Sequence, residues 1–581
     1  MDRQDIGLET KDNGRYLNLC GEIAYFATGL YFLLLFVIFP LYLEDHYWDM
    51  AWCKWKFYLY ITVPYLTIMS FCLLPGIVGR LRGAGKRQTG QLSGICDCLV
   101  GLYGICMLIS WFLGVGRQEA WTGTEGWYMG AAAQLLFVGT YFAVSRSRIS
   151  VSWIVGCNAV GSGICFLIGI LQRLGIDVLG LYLGMPDVEL SDFLSTIGNR
   201  TWMSGYACAV FPIGIFLFWQ SGWQRDCQTD DSGAGHRTFR FGWGLYSAVA
   251  FAGLAVTYSD SVYMGLAAVL FVLGVFSLGD GRKFLSFCQV LLVWFGSALL
   301  MCGVRALCGD KVRDARGLTC YVYEWRWMLA GLALCAAVTV LVYQVCYRKQ
   351  RKGSKIRRRL QVGCLLGGGM LCVLTVGFVA LNSTGTLENL FHITVRNRYL
   401  FFDDAWGDAR GWTWRTVCQM YGDLPLSRKL FGVGPDCFAA YSYSIPEYAA
   451  QLRSVWGNAV LTNAHNEWLN MFFCQGIVGG LLYLGIFVNA VCAGLRDMFG
   501  EPEISAGTDD PAGLEMSAGR GLLPGIGLCT AAYMAHNLFC YQQICATGPM
   551  FVLLGVLAAL LRGQGEDGGL TDRTTARMEE I

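Results

Sequence analysis

The chain has 581 residues, of which 55% are hydrophobic and 15% charged, with a mean hydropathy of +0.44. Apolar runs long enough to cross a bilayer exclude an ordinary water-soluble globule and imply an integral membrane protein. The formal net charge is +2, and the basic residues gather in short loops rather than on one face, so no nucleic-acid partner is expected.

The amino-terminal stretch MDRQDIGLETKDNGR is polar and does not resemble a cleaved signal peptide. The first apolar run, about 19 to 43, therefore reads as a retained helix. Further runs follow at about 56 to 78, 94 to 115, 127 to 145, 151 to 171, 201 to 220, 241 to 258, 261 to 278, 285 to 303, 326 to 347, 361 to 381, 467 to 493, 522 to 541 and 546 to 561. The fold expected is all-α and polytopic, with about 12 to 14 transmembrane helices. Eleven helices and their short loops fill 1–381, and one large extracytoplasmic loop carrying short helices spans 382–466. The last helices occupy 467–562, and a polar cytoplasmic tail covers 563–581. The 25 cysteines lie mostly in apolar runs without zinc spacing and read as small core residues; Cys308 and Cys320 could pair in one loop.

The loops alternate in charge. RLRGAGKRQ at 80–88, SRSR at 145–148, GRK at 281–283 and YRKQRKGSKIRRR at 347–359 fall on the side of the amino terminus, which the positive-inside rule makes cytoplasmic. EDHYWDMAW from 44, GRQEAWTGTEG from 116, the loop from 177 to 200 and the long 382–466 segment fall opposite. The basic loop GVRALCGDKVRDARG, 303–317, breaks this pattern. Both termini are expected in the cytoplasm, with the long loop outside the inner membrane.

That loop is rich in aromatic residues, with turn signals at Gly432, Gly434 and Pro435. Its segment 410–424 reads as a helix with Arg410 and Trp414 one turn apart. It ends in TNAHNEWLNMFFCQGIVGGLLY, 462–483, where His465, Asn466 and Glu467 meet an apolar run. A helix capped by Asn463 would bring Phe472, Gly476, Gly479 and Tyr483 within about 40° of the His465 direction. His465 would then stand at the membrane surface above a glycine-lined seam. Asp403, Asp404 and Asp408 resemble a cation cluster but read as solvated carboxylates; no metal and no cofactor are expected. His536 is a secondary candidate base, while His46, His236 and His392 read as loop residues.

His465-Asn466, nine residues, Gly476, two residues, Gly479 resembles the signature of the O-antigen ligase and polymerase family, membrane glycosyltransferases acting on polyprenyl-diphosphate-linked glycans. ARGWTWRTVCQMYGDLPLSRKLFGVGPDCFAAY, 409–441, is similar to the family's upstream stretch, and STIGNRTWMSGYACAVFP, 195–212, to an earlier element that opens a helix. The resemblance runs over about 190 to 560. It implies transfer or polymerisation of a glycan from an undecaprenyl-diphosphate donor, for cell-surface polysaccharide assembly. The implied partners are a lipid-linked oligosaccharide donor, a glycan, lipid or protein acceptor, and membrane lipids.

Such a transfer needs cations for the departing diphosphate and a base for the acceptor hydroxyl. Arg410 and Arg415 fit the first role and His465 the second, with the helix dipole keeping its imidazole neutral. Asn466 or Glu467 would orient the base or bind sugar hydroxyls, and Trp412 and Trp414 would stack on sugars or, more simply, anchor the loop. Where the family carries a Ser-Arg pair, TYSDSVYMGLAA places Asp260. Arg200 would supply the missing charge, oriented by Asp260. A transporter or flippase of lipid-linked or soluble cargo is the rival reading; it would call for charges or broken helices at mid-membrane, and the sequence shows neither.

Overall fold

A computed structural model describes residues 3–81, 91–186, 189–223, 233–309, 315–346, 354–499 and 511–578 of the chain. Most of the basic stretches at 80–88 and 347–359, and the middle of the irregular loop at 303–317, fall outside the described residues. The protein is an all-α polytopic bundle. Among the described residues, eleven helices are long and apolar enough to span a bilayer, from Asn18–Leu41 to Ile544–Gly563. The three other expected runs are also helices: Ala131–Val144, Gly233–Ala255 and Pro511–His536. At fourteen residues, Ala131–Val144 is only about 21 Å long, short of a ~30 Å hydrocarbon layer. The helix that starts at Ile544 runs on to Met578, with no break at 563.

Helices of similar hydropathy take opposite places. In the apolar windows of Arg200–Ser221 and Ile544–Gly563, 83% and 89% of residues are buried, against 6% in Trp325–Gln344 and none in Ile356–Ser383. The first two form the centre, together with Pro511–His536 and the inner face of Glu467–Leu495. The last two lie at the rim, where lipid is as good a solvent for Leu and Val as protein. Cys308 and Cys320 are free thiols, not a disulfide; Cys320 Sγ donates to the Ala315 carbonyl (3.2 Å).

The long loop folds into a hood. Its helices Thr386–Phe391, Trp406–Asp423, Leu426–Phe431, Phe438–Ser442 and Pro446–Trp456 gather a separate apolar core of Val417, Met420, Leu424, Val433, Phe438 and Leu452, which also takes in Phe473, Cys474 and Ala120. Shorter loops meet the hood at the same end of the bundle. Val115 N–H donates to the Val433 carbonyl (2.9 Å), and Thr124 and Met129 N–H both donate to Asp436 Oδ2 (2.8 and 3.1 Å). The 44 and 177 loops are joined there by Tyr47 OH, which donates to the Ser195 carbonyl (2.7 Å).

The segment Glu467–Leu495 departs from the single seam-bearing helix expected. Its cap is Asn466, whose side chain accepts from Leu469 N–H (3.0 Å), three residues after the expected Asn463. Gly476 breaks it, at φ +70°. In an unbroken helix residues 467 and 483 would lie about 24 Å apart. Instead Tyr483 OH donates to Glu467 Oε1, and the Trp468 ring packs on Tyr483 and Phe487, at 5.8 Å each. The chain therefore doubles back at Gly476 into a hairpin. A Cβ there would sit 2.3 Å from the Leu430 carbonyl, and one on Gly432 would sit 2.1 Å from the Cys474 carbonyl, so the two glycines let hood and hairpin backbones touch. Val433 and Gly434 N–H donate to the Phe473 and Cys474 carbonyls (3.3 and 3.0 Å) at that contact. Glu467, nine residues before the turn, lies roughly 13 Å below it.

Candidate active site

His465 is held by local backbone chemistry. Its N–H donates to Asn463 Oδ1 (2.9 Å), and its own φ is +50°, a left-handed conformation that His tolerates better than most non-glycine residues. The imidazole stacks on Trp456 (6.1 Å, 6° between planes) and meets the Tyr541 ring edge-on (5.4 Å). Tyr541 belongs to the non-helical segment between Pro511–His536 and the helix from Ile544. The base candidate is thus walled by the end of the helix Pro446–Trp456 on one side and by an irregular segment on the other. Burial, and then the charge of Arg410, push its pKa down to about 4, so the imidazole is neutral at pH 7. Neutrality was expected from the helix dipole; desolvation and a guanidinium produce it instead.

Arg410 opens the regular part of Trp406–Asp423, after residues 407–409, which have left-handed backbone angles. One guanidinium nitrogen, Nη1, donates to the Gly407 carbonyl (2.5 Å), while Nε is buried without a hydrogen-bond partner. A desolvated, unmatched donor beside a neutral imidazole is a site for an anion. Arg415 is elsewhere. Five residues along a helix turn the side chain about 140°, and Arg415 is exposed and ion-paired with Asp404. The two arginines do not converge on one site.

The remaining candidates divide into supports and outliers. Glu467 is fully buried, its carboxylate accepting from Tyr483 OH, Tyr533 OH (3.0 and 3.1 Å) and the Asn537 amide. Its N–H donates to the Asn537 carbonyl (3.0 Å). It ties the hairpin to the neighbouring helix end and is not placed to bind sugar. The Asn466 side chain is used as the helix cap. Trp414 Nε1–H donates to the Ala464 carbonyl (3.0 Å) and its ring stacks on Phe539 (6.1 Å), which anchors the hood next to His465. Trp412 packs on the hood core. His536 is buried, its Nδ1 at 2.6 Å from Asn537 Oδ1.

Arg200 opens its helix behind the Asn199 cap and pairs with Asp192 (3.3 Å), with Nη1 donating to the Tyr258 carbonyl (3.3 Å). Asp260 does not orient it. Asp260 accepts from Leu318 N–H (2.7 Å) and Tyr399 OH (3.1 Å), and so fastens two loops together.

Residues that sequence reading missed complete the site. Asp436, in the GVGPDCF stretch read for its turns and its resemblance but not as a site residue, is buried; burial pushes its pKa up to about 7 against the pull of the Thr124 and Met129 N–H groups. Asp436, Asn463, Asn470, Gln475, Trp127, Tyr541 and Gln542 line a small cavity beneath the hood. Tyr541 sits at the end of an apolar run, with no periodic signal to mark it.

Residues 320–484 match the family described as O-Antigen ligase. No curated protein matches the chain. The match is narrower than the stretch from 190 to 560, but it contains Arg410, Arg415, His465, Gly476 and Gly479. It supports O-antigen-ligase-like glycan transfer in cell-surface polysaccharide assembly, by a multi-pass protein of the inner membrane.

Proposed function

We propose that this O-antigen-ligase-like chain moves a glycan from an undecaprenyl-diphosphate donor to an acceptor hydroxyl on the outer face of the membrane, with His465 as base and Arg410 as the diphosphate clamp. The observation that carries the reading is the neutral imidazole lying within electrostatic reach of a guanidinium whose Nε is buried and unmatched. The acceptor oxygen attacks the anomeric carbon as the bond from that carbon to the diphosphate oxygen breaks. Nε2 or Nδ1 of His465 takes the acceptor proton, and the diphosphate leaves on Arg410. Guanidinium groups supply the positive charge, and no metal ion is invoked. The loops at 44, 116 and 177 share the hood's end of the bundle, away from the basic GRK loop, which supports an outward-facing site.

The break at Gly476 is the sort of discontinuity that favours a transporter. Here, however, hydrogen bonds from Val433 and Gly434 of the hood fasten the backbone just before the turn. Incubating the purified protein with undecaprenyl-diphosphate oligosaccharide distinguishes the two. Release of undecaprenyl diphosphate with a transferred or lengthened glycan is expected; intact donor carried across a vesicle wall would overturn the enzyme.

The two arginines should separate in the same assay. Arg410→Ala is expected to lower kcat by about 10²–10³-fold, as for loss of one preorganised donor to a developing anion. Arg410→Lys should restore only part of it, because a point charge does not reproduce a planar fork. Arg415→Ala should cost less than about tenfold, since exposed ion pairs contribute about 0–1 kcal/mol. Equal losses in both would remove Arg410 from its special place.

A further inference from the structure

A second cavity, of about 260 Å³, opens next to the site and is built from parts of the chain outside the family match: Tyr47, Asp49 and Met50, Trp127, Phe193, and Asn199 with Trp202. It shares Trp127 and Tyr541 with the small cavity beneath the hood. Trp127 packs on Tyr541 (4.6 Å, 82°) and on Trp202 (5.8 Å), and Tyr541 in turn touches the His465 ring (5.4 Å). The cavity is therefore one aromatic ring away from the proposed base.

Its lining is chemically one-sided. Five aromatic residues line it, a composition suited to the C–H face of a sugar ring. Asp49 is exposed at the mouth, and the side-chain oxygen of Asn199 is occupied by Thr201 N–H (2.8 Å), which leaves its amide hydrogens as donors. An acid and an amide bind sugar hydroxyls, while aromatic rings take the C–H face. Among the described residues no basic one lines it, so a phosphate or a uronate would meet Asp49 without a counter-charge. A space of this size admits a sugar ring.

Resting on the transferase reading, we propose that this cavity is a subsite for one uncharged pyranose of the glycan, stacked on the Trp127–Trp202 wall with its hydroxyls on Asp49 and Asn199. The ring comes from either the acceptor or the donor glycan.

The test is binding of methyl glycosides to the detergent-purified full chain by saturation-transfer NMR, which does not depend on turnover. Methyl glucoside or methyl N-acetylglucosaminide should bind, and methyl glucuronide should bind at least tenfold more weakly. Trp202→Ala should weaken the neutral ligands about tenfold. Asp49→Asn, a change in an exposed loop residue, should admit the glucuronide to within about twofold of the glucoside. Failure of every neutral pyranoside to bind, equal binding of glucuronide by the unaltered chain, or unchanged binding in both variants overturns the subsite. Pyranoside binding without any glycan transfer would instead defeat the transferase reading and leave the sugar site standing. Where transfer is measured, a KM raised by Trp202→Ala for the acceptor alone assigns the ring to the acceptor, and for the lipid-linked donor alone, to the donor.

Discussion

His465→Asn is expected to cut glycan transfer by about 10²–10⁴-fold, the usual contribution of a positioned base, while the protein still runs as a single species on size exclusion. Asparagine is chosen because residue 465 has φ +50°, which Asn adopts more readily than Ala. Transfer at the unaltered rate would end the assignment of His465 as base.

The pH profile tests the same residue without mutation. Burial and Arg410 hold the imidazole down at about 4, so kcat/KM, which reports the free enzyme, should stay flat below pH 6 and fall only as pH approaches 4. Donor binding places negative charge on Arg410, removing one cause of the depression and adding an attraction for the proton. The acid limb of kcat should therefore lie at higher pH than that of kcat/KM. The linkage has a definite sign. Between about pH 6.5 and pH 4 the unfolded chain, with its ordinary histidine, binds more protons than the folded one, so stability falls as pH drops through that window. In His465→Asn this part of the pH dependence should vanish. Coincident limbs in kcat and kcat/KM would show that Arg410 does not receive the diphosphate.

Gly476→Ala should be severely damaging for a change of a single methyl group. The residue has φ +70°, and the new Cβ would lie 2.3 Å from both the carbonyl carbon and oxygen of Leu430. Left-handed strain alone costs about 1–3 kcal/mol, and backbone offers no side chain that can rotate away. Loss of folded protein, read as a collapsed size-exclusion peak and a lowered thermal midpoint, is expected. Gly377→Ala is the control: that glycine is helical with nothing within 4 Å, and alanine should stabilise the helix by up to about 1 kcal/mol. A Gly476→Ala protein as stable as the Gly377→Ala protein would contradict the hairpin.

Much of the fold is legible in the residues, and the places where it is not have physical reasons. Apolar runs located the bundle because length and hydropathy suffice for a spanning helix. The helix that begins at Arg410 was legible from its polar and aromatic spacing. Gly476 and Gly479 look alike in a string, yet one reverses the chain and the other lies where an added Cβ would meet Cys106 Sγ at 3.3 Å. Periodicity assumes continuity and cannot reveal a reversal. Asn463 and Asn466 are equally good caps by type, and only the position of the Leu469 N–H chooses between them. The divergence of Arg410 and Arg415 was available from their spacing alone. Asp436 and Tyr541 were not, because their importance comes from residues hundreds of positions away.

The seam at 430–434 and 473–476 also limits how relatives can exchange parts. Hood and hairpin interlock main chain to main chain, and Trp414 hangs from the carbonyl of Ala464, the neighbour of His465. A chimera that swaps the hood alone would place foreign backbone against Gly476 and tilt the histidine with it. Transplanting specificity therefore requires moving 384–476 as one block.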